Sequence, residues 1–257
     1  MDDAATLLRH AHRLREHWLL HLGEKAALGN SAVAFNSQLP AGNLVTHVSA
    51  QNDDEFEVAK QEVDHFFTEQ GTKCQQWLIN PAQREDERLR IISGLSRLGW
   101  QQDLQTVWKL QSQEHQLPTT DLQVIPARAG YALLEQLMVG IGQTTEEPQM
   151  AEAMLLHLDD PRVDSLLGIQ QGRAIATISV LGDGQNALIC ALGFEAGSAS
   201  YQSVGKSMVH RAIDVCRRSL FKNVFTFTPQ EGASHFWREL GFEPIGELAS
   251  MLRSHRS

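Results

Sequence analysis

The most constraining feature of this sequence is the order of patterns between residues 174 and 242. Two apolar segments, residues 174–181 and 187–194, flank the turn Gly182-Asp183-Gly184-Gln185. Short apolar runs separated by glycine-containing turns are typical of strands, so these residues predict a β-hairpin. The hairpin fixes where the next helix has to pack.

An amphipathic helix is predicted directly after the hairpin. Its apolar residues follow a helical spacing on one face, at Val209, Ala212, Ile213, Cys216 and Leu220. Residues 223–228 then predict another strand, and a second helix ends at Leu240-Gly241-Phe242. The order is therefore hairpin, helix, strand, helix.

The first helix of this series is preceded by the segment Gln202-Ser203-Val204-Gly205-Lys206-Ser207. A helix N-terminus exposes unpaired N–H groups and the positive end of its dipole, and both favour a bound phosphate. Gly205 allows close approach of the backbone, Lys206 adds a positive charge, and no carboxylate lies between Tyr201 and His210. The segment therefore predicts a cradle for a pyrophosphate.

These residues, in this order, resemble the GCN5-related N-acetyltransferase (GNAT) superfamily, whose acetyl-CoA loop reads Gln/Arg-x-x-Gly-x-Gly/Ala before a helix. Here Ser207 stands at the last position of that pattern, and the helix ending Leu240-Gly241-Phe242 is similar to the family's helix with the same ending. The resemblance covers about residues 120–252. It implies an acetyl-CoA-dependent N-acetyltransferase, with acetyl-CoA as cosubstrate held by the six residues Gln202, Ser203, Val204, Gly205, Lys206 and Ser207.

The resemblance also implies where the chemistry takes place. The pantetheine arm would be held by Leu192 and Gly193, or by Gly197 and Ser198. Glu195 is the candidate general base and Tyr201 the candidate group over the thioester. The family's usual acid, a Tyr after Phe, is replaced by Trp237, and an indole N–H donates hydrogen bonds but is no practical proton source.

Two interpretations of the function stay open at this point. One is transfer of an acetyl group to a primary amine of a small molecule, and the other is a catalytically degenerate protein that binds acyl-CoA or regulates a partner. The acceptor wall is expected at residues 143–149 and 151–158, although this charged segment is equally compatible with a solvated surface.

A length of 257 residues suits two modules. In the first half, a predicted strand and helix are followed by Leu98-Gly99-Trp100. In the second half, a predicted strand and helix are followed by Leu240-Gly241-Phe242, and this match indicates a divergent internal repeat. The expected domains are 1–112, a degenerate module, and 120–257, which carries the donor loop. The predicted fold class is α/β (α+β), with two GNAT-like modules, each with a mixed, mostly antiparallel sheet flanked by helices.

The first module is expected to bind no acetyl-CoA, because its corresponding helix begins Asn52-Asp53-Asp54-Glu55 and those carboxylates repel a pyrophosphate. The opening helix, residues 4–22, places Leu7, Ala11 and Leu14 on one face, with Arg, His and Glu side chains on the other. We therefore expect this helix to pack on its own domain through the apolar face.

Composition excludes several other functions. A net charge of −9 argues against nucleic acid as a main partner, and no apolar run is long enough to span a bilayer. Three cysteines at unrelated spacings predict reduced structural thiols, and the scattered histidines predict no metal site. The expected protein is cytoplasmic, a monomer or weak homodimer, with no membrane partner.

Overall fold

The structure is a computed structural model that describes residues 2–20, 23–29, 32–37, 39–111, 121–145, 155–195, 201–229 and 234–253. The chain divides into two compact units, one of Met1–Val107 with Ile245–Ser257 and one of Trp108–Pro244. The sequence pattern assigns residues 245–257 to the second domain. In the structure they cluster with the first unit because the last strand pairs with a strand of that unit.

The described part of the first unit contains three α-helices and a set of β-strands. Its described elements are α1 (Ala4–Leu20), β1 (Glu24–Leu28), β2 (Ala32–Asn36), β3 (Leu44–Thr46), α2 (Asp53–Glu69), β4 (Gln76–Leu78), α3 (Glu85–Arg97) and the first part of β5 (Gln101–Leu110). β1, β2 and β3 pair antiparallel in series, and β3 then pairs parallel with β4. The later part of the final strand, β11 (Phe242–Leu252), pairs antiparallel with β4.

The second unit repeats this order of strands and helices around a larger sheet. Its described elements are the end of β5, β6 (Gln123–Pro126), α4 (Tyr131–Thr145), β7 (Val163–Gln170), β8 (Arg173–Asp183), β9 (Asn186–Phe194), α5 (Tyr201–Arg218), β10 (Asn223–Pro229), α6 (Ser234–Glu239) and the start of β11. β6 to β9 form an antiparallel series, and β9 pairs parallel with β10. The predicted mixed, mostly antiparallel sheet flanked by helices is therefore confirmed.

Each unit has its own apolar core. In the first unit α2 and α3 bury Phe56, Val63 and Leu95 against the sheet. In the second unit α5 buries Met208 and Val209 against β8 and β9. The amphipathic helix predicted after the hairpin is thus confirmed, with four of its five predicted apolar residues buried. The prediction is wrong for Leu220, which lies beyond the end of α5 and is 83% exposed.

The two helices that precede the Leu-Gly-aromatic motifs end in the same way. Gly99 (φ 85°) and Gly241 (φ 80°) both adopt a left-handed backbone, and each donates its N–H to a carbonyl three residues earlier. This C-terminal arrangement needs glycine, because other L-residues rarely adopt a positive φ. The repeated motif therefore has a physical function, which is to stop α3 and α6 and start β5 and β11.

Three strands were not predicted from the sequence: β1, β7 and β11. β11 contains Pro244 and Gly246, which normally interrupt strands. Pro244 is the last residue of the second unit, and Gly246 leaves room for Leu8 of α1, which would lie 2.9 Å from an added Cβ. Packing, rather than local preference, forms this strand. No described helix has both the length and the apolar character required to cross a membrane.

Candidate active site

The parallel strands β9 and β10 separate at their carboxyl ends. Their register pairs Asn186 with Asn223 and ends at Leu188 with Phe225. Both strands continue, to Phe194 and Pro229, with no further pairing between these described residues. A gap therefore opens between them, in the position where open α/β sheets usually bind ligands.

A β-bulge in β9 turns this strand just as it leaves β10. Cys190 pairs with Ser179, and Gly193 pairs with Thr177. Two residues of β9, Ala191 and Leu192, therefore lie opposite the single residue Ile178 of β8. Ala191 has a positive φ of 54°. Bulges bend a strand, increase its twist and take one residue out of the ladder. The sequence analysis missed this feature, because nothing in an Ala-Leu-Gly segment signals it.

The bulge also changes which side chains of β9 share a face. A regular strand would place Leu188, Cys190, Leu192 and Phe194 on one face. In the structure, Leu192 and Phe194 join Ala187 and Ile189 in the core beneath α5, because the extra residue exchanges the two faces. Gly193 points the other way, and an added Cβ there would lie 3.0 Å from Ile141 of α4.

The predicted donor loop is helical. α5 begins at Tyr201, so Gln202 to Ser207 form its first two turns rather than a loop before it. Gln202 and Ser203 are exposed, and the first turn contains no acidic residue. The N-terminal N–H groups and the dipole remain suited to an anion. Gly197 and Ser198, the alternative contacts for the pantetheine arm, lie outside the described residues.

Three of the six donor-segment residues face the protein interior. Val204 and Ser207 are buried, and the Ser207 hydroxyl donates to the Ser203 carbonyl at 2.9 Å. An added Cβ at Gly205 would lie 3.2 Å from Phe194 and 3.5 Å from Phe236. In this structure Gly205 lets α5 pack closely on these rings, so Gln202, Ser203 and Lys206 are left to meet a ligand.

Lys206 forms an ion pair that the sequence did not reveal. Its Nζ lies 2.8 Å from Oε2 of Glu239 in α6, and His235 Nε2 lies 3.2 Å from Oε1 of the same carboxylate. The hydrogen bond from Lys206 lowers the pKa of Glu239 below its ordinary value. The segment Gln202 to Ser207 contains no carboxylate of its own, but α6 places the carboxylate of Glu239 beside it.

Glu195 lies one residue beyond β9, with Arg173 of β8 beside it. Its N–H donates to the Ile175 carbonyl at 2.8 Å, and its carboxylate accepts a hydrogen bond from the Arg173 guanidinium. Arg173 is largely exposed and Glu195 is about one-third exposed, so water reaches this pair. Tyr201 is the first residue of α5, and its side chain is outside the described part of the structure.

Trp237 occupies the core instead of the gap. Only 6% of the residue is exposed, and its indole packs edge-on against Phe236 and Phe242, each with ring centroids 5.2 Å apart. This position therefore stabilises α6 and supplies no proton to the site. The acceptor wall expected at residues 143–149 and 151–158 falls largely outside the described residues.

The described thiols are unsuited to nucleophilic chemistry. Burial raises the pKa of Cys74 and of Cys216 to about 12, and burial of the Cys190 thiol also raises its pKa well above the ordinary value. A protonated thiol is a poor nucleophile and a poor metal ligand. Among the described residues, no cluster of three or more His, Cys, Asp or Glu side chains is arranged to hold a metal ion.

The corresponding helix in the first unit, α2, differs at its N-terminus. Asn52 accepts a hydrogen bond from the Glu55 N–H at 2.9 Å, while the Glu55 carboxylate accepts one from the Gln51 N–H at 2.7 Å. This arrangement, which is related to a capping box, satisfies backbone N–H groups at the start of α2 with side chains from its own N-terminus. Asp53 and Asp54 add negative charge in the same turn, so the two units present opposite electrostatics at equivalent helices.

The sequence matches no protein-family model and no curated protein. Solved structures share its fold. A GCN5-related N-acetyltransferase from Kribbella flavida has a TM-score of 0.64 at 11% identity, covering 96% of each chain. The tandem GNAT protein from the clavulanic acid biosynthesis pathway has a TM-score of 0.57 at 12% identity, and the alignment covers 98% of this chain and 96% of that one.

A further GCN5-related N-acetyltransferase, from Sphaerobacter thermophilus, has a TM-score of 0.56 at 12% identity and covers 98% of this chain and 91% of that one. The protein therefore has the fold of the GCN5-related N-acetyltransferases, which confirms the resemblance stated from its sequence. Each of the three alignments covers at least 91% of both chains, so the likeness extends over both units.

Proposed function

We propose that this protein is an acyltransferase that transfers an acetyl group from acetyl-CoA to a primary amine of a small molecule. The observation that carries the proposal is the gap between β9 and β10, with the N-terminus of α5 beside it and the bulge at its edge. The likeness to acetyltransferase folds supports this assignment of the gap.

The donor would bind with its pyrophosphate at the first turn of α5. Gln202 and Ser203 are the exposed side chains there, and Lys206 contributes charge one turn later. Leu192 and Gly193, at and after the bulge, are the candidates for contact with the pantetheine arm, because a bulge releases backbone groups from the ladder.

The reaction needs a neutral amine. Its nitrogen lone pair attacks the thioester carbonyl carbon, a C–N bond forms, the C–S bond breaks, and the sulfur leaves with the bonding electrons while the nitrogen loses a proton. Glu195 is the candidate acceptor of that proton, at the end of the strand that borders the gap. The Arg173 guanidinium pairs with this side chain, and the exposure of both side chains allows a water molecule to bridge to the amine.

Departure of the thiolate does not require a strong acid. Thiols ionise at a pKa of about 8.5, so the sulfur can leave as an anion stabilised by nearby positive charge. Trp237 is excluded as the proton donor by its position in the core. Tyr201, at the start of α5, is the candidate group to protonate or hydrogen-bond the leaving sulfur.

A second candidate function is acyl-CoA binding without turnover, for regulation or assembly. One observation favours it: the usual acid position is occupied by a core tryptophan, which weakens catalysis without weakening binding of the donor. The two functions therefore differ in thiol release rather than in affinity.

The deciding experiment combines titration calorimetry with a thiol-release assay on the full chain. Micromolar binding of acetyl-CoA at one site, with CoA formed only when an amine is added, supports the enzyme. Binding without CoA release against a broad panel of amines supports the second function. No binding would reject both. The buried thiols of Cys74 and Cys216 should give little background in such an assay.

A further inference from the structure

Helix α1 buries part of the face that the sequence predicts to be exposed. Leu7, Ala11 and Leu14 are buried as expected, but His12 and Glu16 are also buried, with 3% and 9% exposure. Burial of ionisable side chains costs free energy unless partners compensate, so polar groups in a unit's interior often mark a functional site.

These two side chains line a cavity of about 430 Å³ in the first unit. The cavity lies beyond the carboxyl ends of the parallel strands β3 and β4, since His47 follows β3 and Asn80 follows β4. Phe35 and Val33 of β2 form an apolar wall. The volume of this cavity falls in the range of sites for small molecules.

The floor of the cavity is one carboxylate surrounded by donors. Oε1 of Glu16 lies 3.3 Å from His12 Nε2 and 3.1 Å from His47 Nε2, and it accepts a hydrogen bond from the Thr46 hydroxyl. Burial would raise the pKa of Glu16, but these contacts outweigh burial and lower it. Glu16 is therefore held as a carboxylate whose Oε1 is hydrogen-bonded within the protein.

The rim is cationic. Arg9 and Arg13 of α1 and Lys25 of β1 line the opening, and His17 of α1 lines the cavity with them. The protein has a net charge of −9, so this local cluster of positive charge favours anions at the cavity. His12 also lines the cavity, and its buried Nδ1 makes no hydrogen bond among the described residues.

We propose that this cavity binds a small organic oxyanion, carrying a carboxylate or a phosphate on a compact body. Arg9, Arg13 and Lys25 contact the anionic group, and the body lies against Phe35 and Val33. Arginine recognises carboxylate and phosphate through the same paired N–H geometry, so both sources share this chemistry. The inference is independent of acetyl-CoA binding, because every residue in it belongs to the first unit.

The test is a titration of the full-length protein with malonate and, separately, with inorganic phosphate, at constant ionic strength. The ¹⁵N signals of the His12 and His47 imidazoles report directly on the cavity. We expect saturable shifts with at least one probe. Saturation with malonate alone identifies a carboxylate ligand, and saturation with phosphate alone identifies a phosphate ligand.

The matched variants are Lys25→Glu and Lys73→Glu, which change the net charge equally. Both lysines are exposed in the first unit, but Lys73 does not line this cavity. Lys25→Glu should weaken binding about tenfold or more, because two charge units change at the rim, and Lys73→Glu should leave it unchanged. Arg9→Gln, on the exposed side of α1, replaces Lys25→Glu if that variant fails to fold. No saturable shift, or equal weakening by both lysine variants, would overturn the proposal.

Discussion

Adding a negative charge to the first turn of α5 provides the most direct test of the donor site. Ser203 is exposed in that turn, so Ser203→Glu adds a carboxylate without disturbing the core. Ser207 donates to the Ser203 backbone carbonyl, and that bond survives any change of side chain. Gly205→Glu would be uninformative, because Gly205 is packed against Phe194 and Phe236 and a carboxylate there would destabilise the unit.

The two expected effects of Ser203→Glu have opposite signs. A carboxylate at a helix N-terminus stabilises the free protein by about 0.3–1 kcal/mol. A carboxylate about 6 Å from a pyrophosphate of about two charges, at an effective dielectric constant of about 40–80, repels it by about 1.4–2.8 kcal/mol. Acetyl-CoA should therefore bind about 10 to 100 times more weakly while thermal stability is unchanged or rises.

Calorimetric titration of Ser203→Glu, with Ser203→Ala as the neutral control, measures this difference. The loss should shrink as salt is raised, because screening acts on exposed charges within about 8–10 Å. If Ser203→Glu binds acetyl-CoA as tightly as Ser203→Ala at low salt, the pyrophosphate does not lie at this terminus. Lower thermal stability together with weaker binding would indicate structural damage, and the reasoning about an isolated surface turn would then be wrong.

Further predictions concern packing and pH. Gly94→Ala should lower the free energy of unfolding by up to about 2 kcal/mol, because the new Cβ would lie 2.5 Å from the Phe56 ring and this crowding outweighs the helix preference of alanine. Gly140→Ala, with open space around the new Cβ, should raise the free energy of unfolding by about 0.5–1 kcal/mol. Equal effects of the two variants in chemical denaturation would contradict this contrast. Trp237→Tyr should destabilise the protein by about 1–3 kcal/mol without increasing thiol release, since position 237 is in the core, and faster release would place it at the site instead. The pKa of Glu239 should lie below the ordinary Glu value, so its ion pair with Lys206 is fully formed above the ordinary pKa and is lost as pH falls through the lowered pKa. In an NMR titration, Lys206→Ala should raise the pKa of Glu239. An unchanged pKa would exclude the ion pair in solution.

The elements around the site could be predicted from the sequence because their information is local. The helical spacing of α5 places an apolar face against the sheet whatever lies on the other side. The glycine in Leu240-Gly241-Phe242 marks a helix end because few other residues adopt its backbone conformation. The same two signals located the corresponding elements of the first unit.

The side-chain environment of the site could not be predicted in this way. In the sequence, Gly205 favours the approach of a phosphate, but the structure places two aromatic rings there. Lys206 belongs to a sequence segment without acidic residues, but Glu239, 33 residues further along the chain and on another helix, forms an ion pair with it. Contacts between distant segments depend on how elements pack, which local patterns do not specify.

Local signals in the sequence specify the order of the hairpin, α5, β10 and α6, the helix stops and the acidic N-terminus of α2, because backbone preference, side-chain periodicity and charge near a helix end all act within a few residues. The bulge at Ala191, the burial of His12 and Glu16, and the pairing of Lys206 with Glu239 depend on the tertiary structure. Each of these depends on free energies exchanged between segments far apart in the chain: the fit of one strand to its neighbour, the compensation of buried charge, and the approach of two helices.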